Sequence, residues 1–161
     1  MKLRPVHIGQ RYFNERPVTV TDPGYDDDVW CKIDNVKLKP GVYNCIAWKG
    51  RYYYTDENGK RHSYQRVFCC GIYLDGVGIP NREKMEEIGF IGVDAGLAGF
   101  FQDKPNYTDE QWQSLCNEMY DKDALIVDEG FFTSSGYGDG EYPVFAYKNG
   151  AGEIAALEIN F

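Results

Sequence analysis

The chain has 161 residues, 43% of them apolar and 26% charged, with a net charge of −8 at pH 7 and five cysteines. That is one domain's worth, enough to bury roughly 70% of the surface its unfolded form would expose, so a core forms without disulfides or a structural metal. No window approaches the about 18 consecutive apolar residues of a membrane span, and the opening Met1-Lys2-Leu3-Arg4-Pro5-Val6-His7-Ile8-Gly9 lacks a long apolar segment, which predicts a soluble, cytoplasmic protein with no membrane partner. Period-two alternation and β-branched or aromatic runs then predict strands at 18–21, 41–48, 65–74, 88–94, 98–101, 131–134, 141–147 and 153–159. Turn signals at Pro40-Gly41, Asn58-Gly59, Asp75-Gly76 and Asn149-Gly150 separate them. A weak helical stretch is expected over 82–87, after Pro80. Thr108-Asp109-Glu110-Gln111 has the form of a capping box, and Trp112, Leu115, Cys116, Met119 and Tyr120 follow at the offsets of one helical face, which predicts a core-facing helix over 109–120. The last two strands form a hairpin around Lys148-Asn149-Gly150-Ala151-Gly152. The expected fold is a single α+β domain over 1–161, predominantly antiparallel β as a sandwich or partial barrel, with one long amphipathic helix.

Three glycine-framed acidic motifs stand out against this background: Asp22-Pro23-Gly24-Tyr25, Gly92-Val93-Asp94-Ala95-Gly96, and Ser135-Gly136-Tyr137-Gly138-Asp139-Gly140-Glu141-Tyr142-Pro143-Val144. Each sets a short carboxylate where the backbone turns sharply between strand-like stretches. The last two resemble the Val-Asp-Ala-Gly and Gly-Asp-Gly-x-Tyr-Pro-Val signatures of a family of uncharacterised bacterial and phage proteins. The resemblance implies a shared fold and carries no chemistry with it.

Charge divides unevenly along the chain. Residues 1–72 carry 12 Lys+Arg against 8 Asp+Glu, and residues 73–161 carry 5 against 17. The halves either give one body a basic and an acidic face or pair across a sheet. The five cysteines are odd in number, irregularly spaced and without Cys-x-x-Cys, which predicts free thiols, with Cys69 and Cys70 on opposite faces of a strand.

Candidate chemistry is sparse. Asp22, Asp26, Asp27, Asp28, Asp94, Asp128 and Asp139 are the oxygen donors a hard cation would use, but they lack the EF-hand register, and no Cys/His spacing suits zinc. No metal and no cofactor is expected; the Asp residues of the signatures are expected to cap their own turns, so that Asn in their place costs little. His7 and His62, the latter in the polar Glu57–His62 turn, sit in no catalytic motif, Ser134-Ser135-Gly136 is not a nucleophile elbow, and the glycine-dense loop around Asp139 carries acids where a phosphate cradle needs amides and a lysine. Paired carboxylates remain possible if Asp94 and Asp139 converge, with Tyr137 and Tyr142 to stack a sugar ring. Trp48 to Tyr54 with Lys60, Arg61, His62 and Arg66 interleaves aromatic and basic residues as a base-stacking surface does, or simply as a hairpin with cross-strand tyrosines does. At a pI of about 4.7, nucleic acid is not the favoured partner. The expected function is that of a non-catalytic binding or accessory protein with a protein partner, its candidate ligand-binding residues being Asp22, Tyr25, Asp94, Ser135, Tyr137, Asp139 and Tyr142. A hydrolase using Asp94 and Asp139 is the alternative.

Overall fold

A computed structural model describes residues 2–161. In chain order the strands are β1 (Arg4–Phe13), β2 (Val18–Thr21), β3 (Ile33–Val36), β4 (Gly41–Thr55), β5 (Arg61–Leu74), β6 (Glu86–Val93), β7 (Leu97–Phe101), β8 (Ala124–Val127), β9 (Gly130–Ser134), β10 (Gly140–Lys148) and β11 (Ile154–Asn160). A single α-helix, α1 (Asp109–Met119), separates β7 from β8. The strands form two wholly antiparallel sheets, one of order β1-β4-β5-β11-β10-β6 and one of order β3-β2-β7-β9-β8. They pack face to face. Phe13, Tyr43, Ile72, Leu157 and Ile159 of the six-stranded sheet meet Val18, Val20, Phe100 and Phe131 of the other in one core, as the period-two alternation of apolar residues requires. The barrel is not closed; side-chain and backbone contacts stitch the corners instead, with Arg11 Nη2 donating to the Asp128 carbonyl at 2.6 Å and Gly92 N donating to the Cys31 carbonyl at 2.9 Å.

The eight expected strands are all present. β1, β3 and β8 were not foreseen. The helix differs from expectation in two ways. It has 11 residues, three turns rather than a long rod, and its buried stripe is narrower than the periodicity suggested. The capping box forms, with Thr108 Oγ1 accepting from Gln111 N at 3.2 Å and Gln111 Oε1 from Thr108 N at 2.9 Å. At the other end Asp121 takes a left-handed φ of 63° and stops the helix, leaving Tyr120 78% exposed. Only Met119 is buried; it packs on Phe101 and Phe132 of the five-stranded sheet's outer face, with Leu115 beside them, while Trp112 and Cys116 are half-buried. The expected helical stretch after Pro80 is a single 3-10 turn, Arg82–Lys84. No helix among the described residues is long and apolar enough to cross a membrane. All five cysteines are free, Cys70 in the core between the sheets and Cys69 on the opposite face of β5.

That opposite face holds a buried carboxylate. Glu158 on β11 accepts from the Tyr73 hydroxyl at 2.9 Å, and Trp48 Nε1 donates in turn to that hydroxyl oxygen at 2.9 Å. The Tyr73 ring reaches Glu158 by lying across Gly71, where a Cβ would collide with it. The Arg82 guanidinium stands 3.9 Å away, too far to compensate fully, and burial pushes the Glu158 pKa above its usual range. A carboxyl whose folded pKa is raised costs stability as it ionises. The penalty is absent below the unfolded value of about 4.3 and grows as pH rises through and above it. Glu158→Gln, which keeps an acceptor for Tyr73, is therefore expected to raise the melting temperature at pH 7, with the gain vanishing in melts below about pH 4.

Candidate functional site

The three acidic signatures meet, through backbone rather than through shared carboxylates. Asp22 is fully buried at the end of β2. Its Oδ1 accepts from Gly24 N at 2.8 Å, turning its own Asp-Pro-Gly loop, while Oδ2 accepts from Asp94 N at 2.8 Å and Ala95 N at 2.7 Å. Asp22 thus caps its own turn, as expected, and also staples a loop from another part of the chain, which was not expected. Burial pushes its pKa up and the three N–H donors pull it down, burial being the larger effect.

The loop 94–96, carrying the chain from β6 in one sheet to β7 in the other, runs beside the loop 135–139, which carries it back from β9 to β10. Register fixes this: Val93 pairs with Gly140, Leu97 pairs with Ser134, and Ser135 N donates to the Gly96 carbonyl at 2.9 Å. Inside the second loop the buried Ser135 hydroxyl donates to the Gly138 carbonyl at 2.6 Å and the Tyr142 hydroxyl to the same oxygen at 2.8 Å. Gly136 needs to be glycine twice over. Its φ is +69°, and a Cβ there would strike the Val67 carbonyl oxygen of β5. This close approach seats the loop at the point where β11 stops pairing with β5.

Beyond that point β4 and β5 continue alone as an arm, paired from Gly50↔Arg66 to Thr55↔Arg61. Tyr52, Tyr54, His62, Tyr64 and Arg66 share one face of it. Tyr54 stacks on His62 at 5.0 Å, and Tyr52 meets Tyr64 at 5.4 Å. Tyr137, 54% exposed, folds over from the signature loop, so that the Arg66 guanidinium lies 3.9 Å from the Tyr52 ring, 4.4 Å from the Tyr137 ring and 5.2 Å from the Tyr64 ring. Among the described residues Arg66 Nε and Nη1 are buried without a hydrogen-bond partner, while Nη2 donates to the Tyr64 hydroxyl, so cation–π attraction and that one hydrogen bond hold the charge there. His62, placed in a turn by sequence reasoning, is on strand β5, and its Nε2 lies 2.7 Å from Asp56 Oδ2. The Asp56 carboxylate, pulled below its usual pKa by His62, also accepts from Asn58 N and Lys60 N and so closes the arm's turn.

On the other side of the loop 94–96 lies a cleft of about 330 Å³ lined by Asp22, Gly24, Tyr25, Asp94, Ala95 and Trp112. The Tyr25 hydroxyl sits beside Cys31 and Asp94, and burial, with those two neighbours, pushes its pKa well up. The rim therefore runs in order from the Trp112–Tyr25–Asp94 cleft, past the paired loops, to the Tyr137–Arg66 arm. Asp22, Ser135 and Tyr142 are frame. Tyr25, Asp94, Tyr137 and Asp139 reach the surface. Sequence reasoning named Tyr137 as a candidate binding residue and read Trp48 to Tyr54 with Lys60, Arg61, His62 and Arg66 as a base-stacking surface or a hairpin with cross-strand tyrosines, and the hairpin pairing is present; it missed Tyr64 and the surface role of Trp112.

Little here supports covalent chemistry. The Ser135 hydroxyl is engaged to a carbonyl with no base beside it, and burial pushes the Cys69 thiol well above its ordinary pKa, away from the reactive thiolate. Among the described residues no group of three or more His, Cys, Asp or Glu side chains is disposed to hold a metal ion. Comparison with protein-family models, curated proteins and solved structures finds no match to this chain.

The staple gives a test by substitution. Asp22→Ala leaves three backbone N–H groups without their acceptor and is expected to cost about 3–5 kcal/mol. Asp22→Asn is also destabilising, because the amide –NH₂ replaces an acceptor oxygen and faces an N–H. Asp94→Asn and Asp139→Asn, both at exposed positions, are expected to stay within about 0.5 kcal/mol. Urea denaturation of the four variants measures the difference.

Proposed function

We propose that this protein is a non-catalytic binding protein, of the bacterial or mobile-element kind that its signatures resemble, and that it docks a protein partner along the rim. The observation that carries the reading is the tyrosine cluster of the arm: Tyr54, Tyr64 and Tyr137 are 44%, 42% and 54% exposed around a guanidinium that has no carboxylate partner. Tyr and Arg are the residues enriched where protein interfaces concentrate their binding energy, because each brings a large rigid surface with a polar tip and few rotamers to freeze. The arm's backbone adds to this. β1 pairs with β4 only as far as Lys49, and β11 with β5 only to Cys69, so both edges of the arm beyond are open to a partner.

The paired-carboxylate alternative gains one point, that register brings the loops of Asp94 and Asp139 side by side. It lacks the enclosure that lifts one carboxyl into the range of a general acid, since both residues are exposed. A photo-crosslinking phenylalanine derivative at position 54, in the native cells, is expected to trap one discrete protein in a 1:1 adduct. The same group at Tyr12, exposed opposite Val42 at the end of β1 remote from the arm, is expected to trap none. Tyr137→Ala should diminish the first adduct. Equal trapping from both positions, or none from position 54, refutes the proposal.

A further inference from the structure

Two aromatic walls and one carboxylate line the cleft at the other end of the rim. The Trp112 indole lies over Gly24, whose Cβ, if present, would lie 3.2 Å from the ring, and Tyr25 lines the same cleft with its hydroxyl beside Asp94. Both walls and the carboxylate are held: the capping box fixes the first turn of α1, Tyr25 N donates to the Asp22 carbonyl at 3.1 Å, and the Asp22 side chain holds the backbone N–H groups of Asp94 and Ala95. Asp94 is exposed and takes part in no ion pair among the described residues. The nearby lysines are occupied elsewhere. Lys104 Nζ donates to the Tyr25 and Pro105 carbonyls at 2.8 and 2.9 Å, and Lys32 Nζ lies 3.0 Å from Asp34 Oδ2. One residue before Cys31, whose side chain neighbours Tyr25, Trp30 is 86% exposed, a large apolar side chain left in water.

From this arrangement we infer that the cleft receives an arginine side chain of the protein partner. The inference rests on the binding reading above and names the chemistry the partner must present there. A planar guanidinium stacks on the aromatic lining of the cleft, and two of its N–H groups reach the Asp94 carboxylate, an arrangement an ammonium satisfies less well. Trp30 would cover the apolar stem of the same residue or its neighbour, as an exposed tryptophan at a contact does. Because both walls are already held, little ordering is left to oppose binding.

The test uses the whole chain labelled with ¹⁵N and three probes: acetyl-Gly-Arg-Gly-Arg-Gly-amide, the same peptide with citrulline for arginine, and blocked arginine, acetyl-Arg-amide. The arginine peptide is expected to shift the Trp112 indole and Ala95 amide resonances saturably. Binding should weaken about tenfold with citrulline, which keeps the shape and loses the charge, and about tenfold again for the parent peptide on Asp94→Asn. Trp30→Ala, at a solvated position, should weaken it without altering the rest of the spectrum. No saturable shift at these resonances, equal binding of citrulline, or indifference to Asp94→Asn overturns the inference. Blocked arginine binding as tightly as the peptide also overturns it, since the cleft would then serve a free guanidino compound. These resonances report the cleft alone, so a silent cleft and a failed crosslink from the arm are separable results.

Discussion

Asp22 gathers three backbone N–H groups onto one buried carboxylate, and two of them come from a loop 72 and 73 residues further along the chain. Sheets of unequal composition do not by themselves decide where the chain crosses between them; a crossing leaves backbone donors unpaired, and a buried unpaired donor costs about 1–3 kcal/mol. Asp22 removes that cost at the crossing from β6 to β7. Once the loop 94–96 is fixed, the neighbouring crossing from β9 to β10 follows by register, and Gly136 carries the line on to β5. The order of the rim thus descends from a single side chain. Asp22 is buried and committed to these three N–H groups, which makes it part of the frame.

The arm is the counterpart problem. A two-stranded ribbon is marginal in water by itself, and this one runs past the last residues of both neighbouring strands. Cross-strand rings along one face and the Asp56 turn stiffen its length. Arg66 secures its base, because a guanidinium among three phenol faces ties β4, β5 and the signature loop together without needing a carboxylate. Arg51 and Arg61, on the other face, place charge along edges that would otherwise invite indiscriminate strand pairing, Arg61 lying 4.5 Å over the Tyr53 ring. An arm built this way stays soluble while keeping its tyrosines exposed.

What could be read from the residues follows from what each signal depends on. Alternation reported β2, β5, β7, β10 and β11 because each has at least one face in the core. β1 escaped because an edge strand with His7, Gln10 and Tyr12 facing water and a bulge after His7 has no clean period. β3 is four residues with Asn35 at a left-handed φ of 60°, and β8 is a short apolar run that periodicity cannot classify. Trp112 illustrates the limit of a helical stripe. Its offset from Leu115 and Met119 is right for a core face, yet the Asp22 loop, and not the sheet, is what it packs against. Glu158 went unnoticed for a similar reason: a strand glutamate reads as solvent-facing until Tyr73, lying across Gly71, covers it. The signature aspartates were visible as turn residues, but the partner loop of Asp22 was not, since nothing in local sequence encodes a donor 72 residues away.

Charge is placed by the fold and not by the halves of the chain. Arg51, Lys60, Arg61 and Arg66 lie on the arm, with Asp56 and Glu57 in its turn, whereas Asp26, Asp27, Asp28 and Asp94 mark the cleft end, three of these four acids coming from the first half. Each end presents its own sign to an approaching surface. A partner carrying arginine at one end of its contact and acceptors at the other is aligned in one direction only, and reversing it sets like charges together at both ends. Such complementarity contributes more to orientation and encounter rate than to affinity. On the proposed reading, affinity falls to the exposed aromatic rings of the arm.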